Sequence, residues 1–316
     1  MATTPLNINN LHEFGVQNLP CTSTVADEDV DPLLDENEVG QQLCEEDDKG
    51  VFLGSPEDLS DLVSWQDHSD ATSLFKDAAS NTYVTNVTTP GDLIYGAYNK
   101  VSVGNVLTYN QTGGNNTMHY ASEVKNGLTA SGCQLDFGLT DFLQGVNNPL
   151  GQLRGTLTQQ DQITVVYVAR SVNANRLNAV LSITSNDFFP ASNTPCFNVY
   201  LDTRTSRYGA SIMDNSGTEV YSVLPSNPAT GWVVGVATKN GSAIRSRING
   251  VWGTTVNAVG NGIVNITGEW YWNRYKGGYQ GFHGNAGIQL IYDRVLTESE
   301  LIALERLLAG EWGITF

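Results

Sequence analysis

The stretch from Gly281 to Trp312 constrains this chain more than any other. Ile288, Leu290 and Tyr292 alternate with Gln289, Ile291 and Asp293, the period-2 pattern of a strand with a buried face. Thr297 then stands three residues before Glu300, a capping box in which each side chain satisfies an orphaned backbone N–H. Leu301, Leu304, Leu307 and Leu308 follow at helical spacing, and Gly313 is the stop. A helix with such a stripe needs a sheet to cover. The spacing therefore predicts a strand through Ile288 to Asp293 and a helix from about Glu298 to Trp312, capped by Thr297 and packing Leu301, Leu304 and Leu308 onto the sheet.

The rest of the chain supplies that sheet. Glycine is abundant at 32 of 316 residues and charged residues are sparse at 16%, so short apolar runs are punctuated by tight turns. Ile163 to Arg170 is apolar on both faces, as in a central strand; Val165, Tyr167 and Ala169 should share one face, Val166 and Val168 the other. Asn240-Gly241 and Asn249-Gly250 bracket an alternating segment, which predicts two consecutive hairpins with type I′ turns. The sequence holds no long apolar run and no basic-then-apolar leader, so neither membrane insertion nor a signal peptide is expected.

Phe282-His283-Gly284, Tyr292-Asp293-Arg294-Val295-Leu296, Thr297 to Glu300 and Trp312-Gly313-Ile314 occur in that order. In this the chain resembles concanavalin A-like lectin/glucanase (laminin G-like) domains, especially those of bacteriophage structural proteins. Asp58 to Asp67 resembles the first strand of such domains and Ile163 to Arg170 their central strand. The resemblance implies an all-β, antiparallel two-sheet jelly-roll sandwich over 56–316, closed by one C-terminal helix. It also implies a non-enzymatic protein of the virion surface, assembled in the host cytoplasm as a capsid decoration, head-fibre or tail component. The alternative is a carbohydrate-binding adhesin that recognises host-cell glycans.

Residues 1–58 carry fourteen acids (Glu13 to Asp58) against one base, Lys49, and so hold thirteen of the seventeen net negative charges. Such a segment cannot bury enough apolar surface to fold alone. Residues 1–55 are expected to be an extended attachment element that docks on a basic surface of other virion proteins or of a neighbouring copy, in a homo-oligomer or multi-copy assembly. Nucleic acid is excluded as a partner, since its recognition needs clustered Lys and Arg.

Cofactors and metals are not expected. Asp35 to Glu46 has the acid, Asn, Gly and terminal Glu of a calcium loop, but Val39 stands where an oxygen ligand is needed. Asp67, His68 and Asp70 read as a solvated turn. Cys133 and Cys196 fall in strand-like stretches as small buried hydrophobes; Cys21 and Cys44 could pair in an oxidising compartment. The two or three carboxylates that glycosidases of this fold place on one strand have no counterpart. The four histidines, His12, His68, His119 and His283, have no evident nucleophile partner, so the protein reads as a non-enzyme. Aromatic and hydrogen-bonding residues concentrate between Trp270 and His283. Trp272, Arg274, Tyr275, Lys276, Tyr279 and Gln280 are the candidate contacts to a glycan or a protein, because flat rings cover sugar C–H faces while amides and guanidinium read hydroxyls. Packing of Trp270 with Trp272, or of Tyr271 with Tyr275, is the competing role.

Overall fold

Two antiparallel sheets lie face to face, and a helix covers the outer face of one of them. The computed structural model describes residues 51, 53–77, 85–101, 106–110, 117–134, 142–145, 162–173, 175–184, 196–213, 217–257, 270–272 and 282–316. The acidic segment, Cys21, Cys44 and the calcium-like loop lie outside them. The strands are β1 (Leu62–Asp67), β2 (Leu74–Phe75), β3 (Gly96–Tyr98), β4 (Val106–Asn110), β5 (Thr117–Lys125), β6 (Leu128–Gln134), β7 (Phe142–Gly145), β8 (Gln162–Ser171) and β9 (Ala179–Thr184). There follow β10 (Cys196–Tyr200), β11 (Tyr208–Met213), β12 (Glu219–Val223), β13 (Trp232–Asn240), β14 (Ala243–Ile248), β15 (Val251–Asn257), β16 (Trp270–Trp272) and β17 (Gly284–Tyr292). Helix α1 (Glu298–Trp312) comes last. The eight-stranded sheet runs β15-β14-β13-β8-β17-β6-β5, with β1 also paired to β17; the nine-stranded sheet runs β12-β11-β10-β9-β16-β7-β4-β3-β2.

The central strand divides its faces as its sequence requires. Val165, Tyr167 and Ala169 face the core between the sheets, and Val166 and Val168 face the layer under α1. Its neighbour β17 is buried along its whole length, so both of its faces are covered and not one alone. Ile291 lies in the core between the sheets; Ile288, Leu290 and Tyr292 lie under α1.

Helix α1 begins as the capping box predicts, with Thr297 accepting from the Glu300 N–H and the Glu300 side chain returning to the cap. It ends on Gly313, whose φ of 57° is the left-handed conformation that glycine tolerates best. Leu301, Leu304, Leu308 and Trp312 are buried against the sheet. Trp312 packs over Gly287, where a Cβ would stand 2.5 Å from its ring. A buried ion pair fastens the same layer: Arg247 on β14 meets Glu305 on α1 at 2.8 Å and also bonds Glu298. The Gly250 N–H donates to Glu305 at 3.1 Å.

Both hairpins form, with different turns. Asn249 and Gly250 each have positive φ (44° and 76°), as a type I′ turn requires. In the first hairpin Asn240 pairs with Ala243, so Gly241 and Ser242 form the loop. Only Gly241 has positive φ (60°), the pattern of a type II′ turn instead of the type I′ expected.

The turn after β1 corrects a second expectation. Asp67 and His68 are not solvated but buried, at 9% and 0% exposure. Lys100 bridges the buried Asp67 and the part-exposed Asp70 at 3.0 and 3.1 Å, which offsets the cost of burying Asp67. The His68 N–H donates to the Gly287 carbonyl at 2.8 Å. Burial pushes the His68 imidazole down to about 4, against the opposing pull of Gln289 and Asp67. The first strand itself starts at Leu62, after a short 3-10 turn capped by Ser55. Cys133 and Cys196 are buried and not disulfide-bonded. Among the described residues no helix is long and apolar enough to cross a membrane.

Candidate functional site

Trp272 stands on β16, a central strand of the nine-stranded sheet, and is fully buried in the core between the sheets. It pairs with Leu181, another core residue. Trp272 therefore presents no surface to a ligand and takes the packing role. Arg274, Tyr275, Lys276, Tyr279 and Gln280 lie outside the described residues. His283, beyond them, meets Asn173 at 2.8 Å and Arg176 at 3.3 Å through Nδ1.

The register of β16 points to a different set of residues. Tyr271 pairs with Gln144 on one side and with Ser182 on the other. Gln144 pairs with Thr108, and Ser182 with Asn198, which pairs with Ser211, which pairs with Tyr221. Seven neighbouring strands thus place a polar residue or a tyrosine at one level of the sheet. The flanking residues Leu181, Ile183, Phe197, Val199 and Ile212 belong to the core, so Ser182, Asn198 and Ser211 face away from it.

From β9 to β12 the row is one hydrogen-bonded network. The Ser182 hydroxyl donates to Asn198 Oδ1 at 2.6 Å. Asn198 Nδ2 reaches Ser211 Oγ at 3.0 Å and Glu219 Oε1 at 3.4 Å. Ser211 Oγ donates to Glu219 Oε1 at 2.6 Å, and Tyr221 Oη to Glu219 Oε2 at 2.8 Å. Tyr200 Oη joins at Ser211 Oγ, 3.0 Å away. Ser182, Asn198 and Ser211 are buried, whereas Glu219, Tyr221 and Tyr208 are part-exposed. The accessible end of the network is therefore at β11 and β12.

There the rings of Tyr208 and Tyr221 stack, with centroids 4.2 Å apart and planes at 23°. The loop between β10 and β11 holds Tyr208 in place through a buried carboxylate. Asp202 accepts from the N–H groups of Arg204 and Tyr208 at 2.9 and 3.0 Å, from Arg204 Nε and Nη2 at 2.9 and 3.1 Å, and from Ser206 Oγ at 2.8 Å. Burial pushes the Asp202 carboxyl up, but these hydrogen bonds prevail and hold it below the usual carboxylate range. Burial, and then the adjacent Glu219 carboxylate, push the Tyr221 hydroxyl well above the ordinary tyrosine value. Tyr221 thus stays a protonated donor.

Reading the sequence for clustered aromatics passed over these residues, because no two strands of the network are dense in them. The available signal was a lone polar residue inside an apolar strand: Asn198 in Cys196–Tyr200 and Ser211 in Tyr208–Met213. Among the described residues no group of three or more His, Cys, Asp or Glu side chains is placed to hold a metal.

No protein-family model matches the chain, and no curated protein matches it in sequence. Among solved structures it is similar to the CBM40 of Ruminococcus gnavus IT-sialidase bound to α2,3-sialyllactose, at 17% identity and a TM-score of 0.40, over 55% of this chain and 96% of that one. It is also similar to Trypanosoma rangeli sialidase, at 11% identity and a TM-score of 0.47, over 87% of this chain and 38% of that one. Likenesses this distant assign no role to any residue.

Proposed function

We propose that the chain is a non-catalytic glycan-recognition module whose ligand lies on the Tyr208–Tyr221 end of the nine-stranded sheet's outward face. The observation that carries this reading is the stacked tyrosine pair at the open end of a hydrogen-bonded polar row. Aromatic faces cover the C–H surface of a sugar ring, and hydroxyl, amide and carboxylate groups beside them read its hydroxyls. Buried members of the row hold the exposed ones in fixed orientation, which lowers the entropy cost of binding. Burial and the Glu219 carboxylate hold Tyr221 protonated, so Tyr221 serves there as a hydrogen-bond donor and not as an activated nucleophile. A glycan array probed with the purified chain tests the reading. Binding should be present in the wild type and lost in Tyr208→Ala; a chain that binds no glycan overturns it.

The acidic leader favours a second, compatible role. Fourteen carboxylates on residues 1–58 suit attachment to a basic protein surface, and the closing motifs resemble those of bacteriophage structural proteins. On this reading residues 1–55 tether many copies of the module to the capsid or tail of a virion. Deleting residues 1–55 should abolish incorporation into particles, and high salt should weaken it, since exposed charges are screened within about 8 Å at physiological ionic strength. Incorporation at wild-type levels after the deletion would assign docking to the β-sandwich instead.

A further inference from the structure

We infer that the ligand of the Tyr208–Tyr221 face is a neutral saccharide read through its hydroxyl groups by Glu219, and that this face rejects sialylated and other acidic sugars. The inference rests on the glycan reading above and narrows it to a class of ligand.

The polarity of the network carries the argument. Every hydrogen bond of Glu219 described above is one it accepts, from Ser211, Asn198 and Tyr221. An ionised carboxylate is an acceptor only, with about four lone-pair sites on its two oxygens. Three donors from the protein leave capacity for a further donor, and a sugar hydroxyl is one. The carboxylate of an acidic sugar is not, and it would bring a like charge against Glu219 where part of the solvent is already displaced.

An acidic sugar would need a compensating cation, and the bordering loop has committed its cations elsewhere. Arg204 lies over Tyr208, its guanidinium carbon 5.8 Å from the ring centroid, but it grips Asp202 through two nitrogens at 2.9 and 3.1 Å. Asp202 is fully buried and accepts five hydrogen bonds from this loop and the start of β11. Releasing Arg204 to a ligand would strand that carboxylate without its counter-charge. Arg207 turns to the Pro225 carbonyl, 3.3 Å from Nη1.

The test is a set of matched glycans immobilised with and without terminal sialic acid, lactose and 3′-sialyllactose among them, probed with the full chain. The neutral member of each bound pair should bind more tightly by about tenfold or more. Glu219→Gln, which removes the charge and keeps the shape, should weaken neutral binding and narrow the gap. Equal or tighter binding of the sialylated members, with Tyr208→Ala still abolishing it, overturns the neutral-ligand inference and leaves the site standing. Binding to no member, or binding untouched by both Tyr208→Ala and Glu219→Gln, overturns the site and the inference together. The wild-type preference needs no variant, so a poorly folding substitution does not blunt the test.

Discussion

The outward faces of the two sheets received opposite treatments. That of the eight-stranded sheet presents Val166, Val168, Val234, Val236, Ile288 and Leu290, and α1 seals it with Leu301, Leu304, Leu308 and Trp312. That of the nine-stranded sheet presents Ser182, Asn198, Ser211 and Tyr221 in one registered row. The covered face gains stability from transfer of apolar surface. The polar face forgoes much of that gain and must satisfy each buried polar atom with a neighbour. Its network does so across four strands, and its buried members hold the part-exposed Glu219 and Tyr221 in fixed orientation at the accessible end. One architecture therefore supplies both a stabilising face and a presenting face, and the side-chain row decides which is which.

Four substitutions or conditions sharpen that contrast. Leu304→Ala removes a fully buried side chain from the covered face and should cost roughly 2–5 kcal/mol in denaturant unfolding. The same variant should bind glycan as the wild type does once folded. An unchanged unfolding midpoint would make α1 peripheral.

Acid should act on the covered sheet through His68. Its folded-state value of about 4 lies below the ordinary 6.5, so the unfolded chain binds more protons between those values. Its contribution is complete above pH 6.5 and is lost as the pH falls toward 4, by about 3 kcal/mol in all. Glu300 works in a lower window. The Arg294 hydrogen bonds outweigh burial and draw it down to about 2, so its contribution is present above 4.5 and lost as the pH falls through 2. Comparing the pH dependence of the wild type with His68→Gln isolates the imidazole; parallel curves would refute its part.

On the presenting face the balance should reverse. Tyr208→Ala should reduce glycan affinity by at least about tenfold, ~1.4 kcal/mol or more and enough to lose the signal on an array, with a smaller effect on stability because the ring is part-exposed. A large loss of stability without loss of binding would make the tyrosine pair structural. Thr297→Ala is the mildest change: loss of the cap should cost about 1 kcal/mol, seen in thermal unfolding, and leave the polar row untouched.

What was legible in the sequence was local. Thr297, Glu300 and Gly313 act within a turn or two of their own position, and the alternation in Ile163 to Arg170 reports two covered faces without naming the partners. The polar row is not local. Ser182, Asn198, Ser211 and Tyr221 meet only because three strand registers align them, and a one-residue slip in any would turn that strand's residue to the other face. The burial of His68 likewise depends on a partner some 220 residues away, Gly287. Trp272 itself took the packing role for a related reason: large rings at alternate strand positions fill a core as readily as they line a site.

Strand β17 joins β8, β6 and β1 in one sheet, and the ribosome makes it after all three. A nascent chain that ends at Gln280 carries sixteen of the seventeen described strands but lacks the one that stitches the eight-stranded sheet together. Until residue 292 has emerged, β8, β6 and β1 each expose a hydrogen-bonding edge that a neighbouring nascent chain could capture. Assembly of this sandwich therefore waits on the synthesis of β17, and a holding chaperone would be of most use before that strand emerges.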